Sequence, residues 1–281
     1  MRPKRNIRLE LSYDGTDFCG WQRQKKARSV QEELERALAA MHGHPVPTVG
    51  AGRTDSGVHA MGQVANFFTD ISSIPARKFT LALNKLLPRD LRVMASAEAD
   101  PDFHARYDAR LRRYRYFTLC GAGAADPMRL RYAQRVHRRP NLAALNAMAS
   151  LLLGEVDFTT FSSARDPSAN RSRYVHESAF RWEGDALVYQ IAANAFLLRM
   201  VRSLVGSMLW MEAETADGAA SPDEARALMA GALASRDRSR AGPTAPAQGL
   251  FLWNVEYYAS PTRPGRLSYW ADRSGVEEGE E

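Results

Sequence analysis

Apolar positions alternate with polar ones at Ile7, Leu9 and Leu11, the period of two expected of a strand with one buried face. The period then lengthens. Val30, Leu34, Ala37, Leu38 and Met41 share one helical face, and Ser29 with Glu32 forms a capping-box start for it. Pro45–Gly50 predicts a short strand and Gln63–Thr69 a second one. Pro75–Leu87 reads as a helix stopped by Pro88, and Leu91–Ala97 as a further strand. The order is β-α-β-β-α-β.

Past Pro101 the same order returns. Asp108–Leu119 alternates as a long strand, and Asn141–Leu153 predicts a helix ending at Gly154. Tyr174–Trp182 and Ala186–Ala193 predict a hairpin around Gly184-Asp185. Phe196–Met211 predicts a strongly apolar helix, Ser221-Pro222 the cap of a shorter one, and Leu250–Tyr258 the closing strand. The repeat predicts an α/β chain of the α+β kind, with two tandem ferredoxin-like halves on the split βαβ plan, residues 1–105 and 106–260, and mainly antiparallel sheets. Pro, Gly and Glu dominate afterwards, which predicts a mobile acidic tail over 261–281.

A chain of 281 residues, 45% hydrophobic and 25% charged, has room for two modest cores of ordinary globular composition. The formal net charge of +6 understates the basicity of its body, because without residues 261–281 there remain 35 basic and 27 acidic side chains. Lysine stands at only five positions, so the positive charge is mostly guanidinium, which suits phosphates and stacks on bases. Three basic stretches, Gly15–Arg28, Gly121–Pro140 and Ser162–Arg173, read as loops, and some of their arginines are expected to touch phosphate. Cys19 and Cys120 form neither a disulfide framework nor a metal spacing, which predicts a reduced, cytoplasmic protein. No apolar run approaches the ~20 residues needed to span a bilayer, so no membrane is expected.

The densest chemistry lies in Ala51-Gly-Arg-Thr-Asp-Ser-Gly-Val-His-Ala60. Asp55 sits between Gly52 and Gly57, with Arg53 two residues away. Flanking glycines let a bulky ligand approach, and a nearby guanidinium keeps a carboxylate ionised. An acidic nucleophile mounted in a cleft would need both; a tight connection with a surface Asp–Arg pair would look the same. In the strand around Arg112-Arg113-Tyr114-Arg115-Tyr116, alternation puts Arg112, Tyr114 and Tyr116 on one face. Arg202 stands inside an apolar helix, where it either snorkels outward or is paired. His59 and His104 have no partner at ligand spacing, so no metal is expected.

Gly52-Arg53-Thr54-Asp55-Ser56-Gly57-Val58-His59 resembles the GRTDAGVH signature of the tRNA pseudouridine synthase A family, with Ser56 in place of Ala. Tyr13-Asp14-Gly15-Thr16, Gly20-Trp21-Gln22-Arg23-Gln24, Ser29-Val30-Gln31, Asp102-Phe103-His104-Ala105-Arg106, Asn194-Ala195-Phe196, Met200-Val201-Arg202 and Gly249-Leu250 follow in the family's order. The resemblance covers about residues 6 to 258. It implies the same tandem of halves, with sheets meeting at a central active-site cleft. It also implies an isomerase, without cofactor or metal, acting on uridines 38, 39 and 40 of the tRNA anticodon stem-loop as a homodimer.

Position by position, the resemblance makes Asp55 the nucleophile and Tyr114, ahead of Tyr116, the substrate-contacting tyrosine. Arg202 would hold Asp55 ionised, and Leu250 would form a wall beneath the uracil. Arg53 stays open between pairing with Asp55, contacting phosphate and filling the space of a flipped base. Whether the carboxylate adds to C6 or attacks C1′ also stays open. Two other readings compete: an RNA-binding module without catalysis, and a hydrolase releasing free uracil.

Overall fold

The computed structural model describes residues 5–121, 123, 126–213 and 220–257. These form two compact units, one of residues 5–56, 60–110 and 255–257, the other of 57–59 and 111–254. The tail expected over 261–281 lies outside the described residues.

In the first unit, β1 (Arg5–Tyr13) buries Ile7, Leu9, Leu11 and Tyr13 on one face. α1 (Val30–His42), with Val30, Leu34, Ala37 and Leu38 buried, starts where the Ser29 hydroxyl accepts from the Glu32 amide and stops at Gly43, φ +72°. β2 is only Val49–Gly50, shorter than expected, since Pro45 and Pro47 have no amide to give a ladder. β3 (His59–Thr69) begins four residues before the predicted start. The helix expected over Pro75–Leu87 is a 3-10 turn, Ala76–Lys78, leading into α2 (Phe79–Asn84). Side chains claim both of its ends. Ser96 Oγ binds the Ala76 carbonyl and Thr80 amide, while the Asn84 amide exchanges two hydrogen bonds with the Val93 backbone. β4 (Leu91–Glu98) completes the unit. β1 lies between β4 and β3, with β2 also on β3, and every pair is antiparallel. This is the split βαβ order.

The second unit repeats it. β5 (Ala109–Cys120) pairs antiparallel with β9 (Ala186–Ala193), and β9 with β8 (Ser172–Glu183) across a turn at Gly184, φ +61°. The strand order runs β10-β5-β9-β8-β7. Elements that fall outside the sequence expectation include α3 (Pro127–Leu130), β6 (Gln134–Val136), which runs parallel to β5, β7 (Gly154–Asp157) and the 3-10 turns Arg238–Arg240 and Ala247–Gly249. α4 (Leu142–Ser150) is capped by Asn141. α5 (Met200–Ala213) begins four residues later than predicted. Arg199 takes a left-handed backbone, φ +62°, and Leu198 is hydrogen-bonded through its amide to Asp166 and through its carbonyl to Ser163. α6 (Pro222–Ser235) has a full Ser221/Glu224 capping box and equals α5 in length rather than falling short of it. β10 (Leu250–Tyr257) closes the unit, its last three residues belonging to the first.

Candidate active site

The signature loop hangs between β2 and β3 of the first unit. Its backbone is held from behind. Ala51 donates to the Val64 carbonyl at 2.7 Å, and Gln63 Nε2 donates to the Gly52 carbonyl at 2.8 Å. The Trp21 amide reaches the Thr54 carbonyl at 3.1 Å, and the Tyr13 hydroxyl shares a hydrogen bond with Thr54 Oγ1 at 2.8 Å. Burial pushes the Tyr13 phenol up to about 12, against the pull of its Thr54 and Gln63 hydrogen bonds, so it stays neutral. Thr54 is thereby anchored inside between Arg53, which is exposed, and Asp55, which is half-buried.

Two glycines permit this arrangement. Gly57 takes φ +77° where the loop turns into β3. Gly20 takes φ +91°, and a Cβ there would lie 3.0 Å from the Asp55 carbonyl carbon and strike the Thr54 carbonyl oxygen. Gly20 is part of the site's construction that sequence reasoning missed as such. Its contribution is an absent side chain, and only the motif order hinted at it.

Arg53 stands exposed on the same loop, two residues from Asp55.

The second unit carries Tyr114, Arg202 and Leu250. Tyr114 is buried in β5 opposite Ile191, with the Phe196 ring edge-on at 4.9 Å. Arg112, on the same strand face, donates to the Asn194 carbonyl at 2.7 Å, so both flank the Asn194-Ala-Phe segment. Tyr116 is wholly buried, its hydroxyl 2.9 Å from both Gln134 Oε1 and the Pro246 carbonyl. Burial raises its phenol, with the Arg202 cation opposing. Gly249 lies against its ring, where a Cβ would stand 2.5 Å from Cζ. Tyr116 therefore packs the segment leading into β10.

Arg202 Nε donates to the Ala245 carbonyl at 2.8 Å, and the Ala245 amide returns a bond to the Arg202 carbonyl at 3.0 Å. The same strap passes so close to α5 that a Cβ on Gly206 would collide with the Pro243 carbonyl. Leu250, buried, follows directly as the first residue of β10. Phe251 beside it stacks on His59 at 4.6 Å, so that histidine is an aromatic packing partner.

Most of the arginines expected to meet phosphate are engaged within the protein. Arg28 grips Asp90 at 2.7 and 2.9 Å and Glu33 at 3.0 Å, over the Phe18 ring. Arg129 forks onto Asp185, Arg138 pairs with buried Glu212, and Arg139 lies over Trp182. Arg171 and Arg173 bind Ser162 and the Asn170 and Ser172 carbonyls. Lys25, Lys26 and Arg165 remain exposed in these loops. No cluster of three His, Cys, Asp or Glu suited to a metal occurs among the described residues, and no described helix is long and apolar enough to cross a membrane.

Residues 11–108 and 148–258 match a protein family described as tRNA pseudouridine synthase. A Treponema denticola protein named tRNA pseudouridine synthase A is 49% identical over 262 residues, covering 90% of this chain and 93% of its own. Proteins of the same name from Acetivibrio thermocellus and Bacillus subtilis are each 40% identical over 253 residues. They cover 90% and 89% of this chain, and 100% and 98% of their own.

Proposed function

The chain belongs to the tRNA pseudouridine synthase family, a class of isomerases, and we propose that it converts uridines 38, 39 and 40 of the tRNA anticodon stem-loop to pseudouridine with Asp55 as nucleophile. The observation that carries this reading is the mounting of Asp55. Its neighbour Thr54 is fixed by Tyr13, Trp21 and Gly20, so that half-buried Asp55 sits next to a rigid anchor. A nucleophile needs that combination of access and orientation.

The reaction breaks the N1–C1′ bond and joins C1′ to C5. The base loses the proton on C5 and gains one on N1, so atoms and electrons balance without an external oxidant or reductant. Asp55 adds to C6 or to C1′ and leaves again when the new bond is made. Tyr114 contacts the extruded uracil, Arg202 keeps Asp55 ionised, and Leu250 walls the underside of the ring. Arg53 pairs with Asp55, contacts phosphate or enters the space the flipped nucleotide vacates. Extrusion costs a few kcal/mol and is cheapest near the end of a stem, which suits the anticodon arm. The protein acts as a cytoplasmic homodimer.

The direct test is to incubate uridine-labelled tRNA with the protein, digest it and separate the nucleosides. Pseudouridine confined to the anticodon arm is expected. Free uracil would identify a hydrolase, and unchanged nucleosides after tight binding would identify an RNA-binding module.

A further inference from the structure

We infer that the turn joining β4 to β5 is a second nucleotide-binding subsite, in which His104 and Tyr107 form a stacking platform for an unpaired base of the RNA. The inference rests on the tRNA reading above. Tyr107 is 77% exposed, the most exposed large apolar side chain among the described residues, yet it is not loose. Its ring lies on the His104 ring at a centroid distance of 4.3 Å and an angle of 26°.

The histidine is itself clamped. Its Nδ1 accepts from the Arg106 and Tyr107 amides, both at 3.2 Å, which leaves Nε2 as the protonated nitrogen of the neutral ring. Its backbone amide donates to Asp108 Oδ2 at 2.8 Å, and its carbonyl accepts from the Asp108 amide at 3.1 Å.

Beneath this cap the turn is bolted to the sheet. The Phe103 carbonyl accepts from Asn6 at 2.8 Å and from Asn66 at 3.3 Å. The Ala105 amide donates to Asn66 Oδ1 at 2.9 Å, and the Ala105 carbonyl accepts from the Tyr257 hydroxyl at 2.6 Å. A wholly buried Ala105 thus lies between the two residues of a stacked aromatic pair, with the Tyr107 ring on histidine, the Arg106 guanidinium loosely over it at 5.9 Å from the centroid, and most of the ring held out to solvent. Holding an aromatic ring in water costs hydrophobic free energy that a stacked base would return, and pre-ordering removes the entropic cost of binding.

Charge argues for a base and against a phosphate clamp. Arg106 and Arg110 are exposed here, but so are Asp100, Asp102 and Asp108. A backbone-binding surface would not carry three carboxylates, whereas a π-face is indifferent to them. The register also separates this subsite from the reacting uridine. Asn66 lies six positions along β3 from Ala60, on the order of 20 Å from the end of the signature loop. The platform therefore takes a loop nucleotide several positions from the target, and it governs affinity rather than chemistry.

The experiment compares the full chain with Tyr107→Ala, Tyr107→Leu and Tyr107→Trp, using an unmodified tRNA transcript. Stacking predicts that Kd rises about 5- to 150-fold in the Ala and Leu variants, the fold-change of one lost base stack. The Trp variant should keep parent affinity and lose fluorescence as tRNA binds. The slope of log affinity against log salt should be the same in all four, since no phosphate contact is lost, and kcat at saturating tRNA should stay within about twofold. Parent affinity in the Ala variant, or in the Leu variant, overturns the platform, as does a reduced salt slope. A change in solution mass on Tyr107→Ala also overturns it, assigning the surface to a second copy of the chain. A parent that leaves tRNA uridines unchanged sinks the enzymatic reading instead, and that failure is seen without any variant.

Discussion

The two units share one strand order and both carry ion pairs, yet the polar groups around β3 and those along β5 are satisfied in different ways. The first group uses neutral amides and hydroxyls: Tyr13 with Thr54, Gln63 with Gly52, and Asn6 with Asn66 at 3.0 Å. The second group uses ion pairs, with Arg113 on Glu177 and Arg115 on Glu183. Neutral bonds hold a loop in place without adding a charge beside the carboxylate it presents. Arginine pairs bind strands and helices together, and in doing so they absorb much of the positive charge that composition alone would hand to RNA. Presenting the reactive group and tying strands together are thus separate tasks, met by different kinds of bond.

The largest expected effect tests the first task. Asp55→Asn should fold and bind tRNA like the parent but lose pseudouridine formation by roughly 10⁴-fold or more, the scale of removing a nucleophile. A binding isotherm and nucleoside analysis of one mixture check it; parent-level product would remove Asp55 from the mechanism, and joint loss of binding would make it structural. Next comes the scaffold. Gly20→Ala, forced into the Thr54 carbonyl and a left-handed backbone, should displace the loop and lower kcat by roughly 100-fold, with tRNA affinity retained. Gly249→Ala, pushed against the Tyr116 ring, should instead cost stability by about 1–3 kcal/mol through overpacking. If both glycines affected only the melting temperature, the contrast between the units would fail.

The pH response should have opposite signs in the two units. Burial pushes Glu10 of β1 up to about 7, with nearby Arg8 pulling it down. Its folded form prefers the proton, so its stabilisation is complete below pH ~4.5 and is lost as the pH rises toward 7. Glu10→Gln should therefore raise stability by about 3 kcal/mol at pH 8 and change little at pH 4, as urea unfolding at the two pH values would show. The Arg113 hydrogen bond holds Glu177 below the usual carboxylate range, against its partial burial. That contribution is present above the unfolded value and disappears as the pH falls. The smallest effect follows: Glu177→Gln should cost at most about 1 kcal/mol at pH 7, as expected of a partly exposed pair, and nothing at pH 2. A loss that persisted in acid would show that packing, not charge, accounts for it.

How much of this was legible beforehand depended on whether a residue's task is local. Alternation located β1 closely because it buries one face along its own length, while β5 and β9, buried on both faces, showed as long β-branched and aromatic runs, β9 beside a Gly184-Asp185 turn. β6 and β7, of three and four residues, are too short to show a period and owe their existence to β5 and β8. The start of α5 was misplaced because Phe196–Arg199 continues its apolar pattern, while Asp166, thirty-two positions from Leu198, takes that turn away from the helix. At the site, Asp55 and Arg53 were visible as chemistry between glycines. Gly20 was not, since its partner is a carbonyl in another segment. The arginines' partners within the protein were hidden for the same reason: Asp90, Asp185 and Glu212, which pair with Arg28, Arg129 and Arg138, are all distant in sequence.

Tyr257 gives the fold a timetable. Its hydroxyl binds the Ala105 carbonyl, 152 residues earlier, and its ring lies under the Arg8 guanidinium and beside Phe103. At synthesis rates of about 5–20 residues per second, those earlier groups emerge on the order of ten seconds before the residue that covers them. During translation the first unit thus waits, with a carbonyl and an aromatic ring uncovered, until β10 has left the ribosome. A permuted chain that began with β10 would abolish that wait.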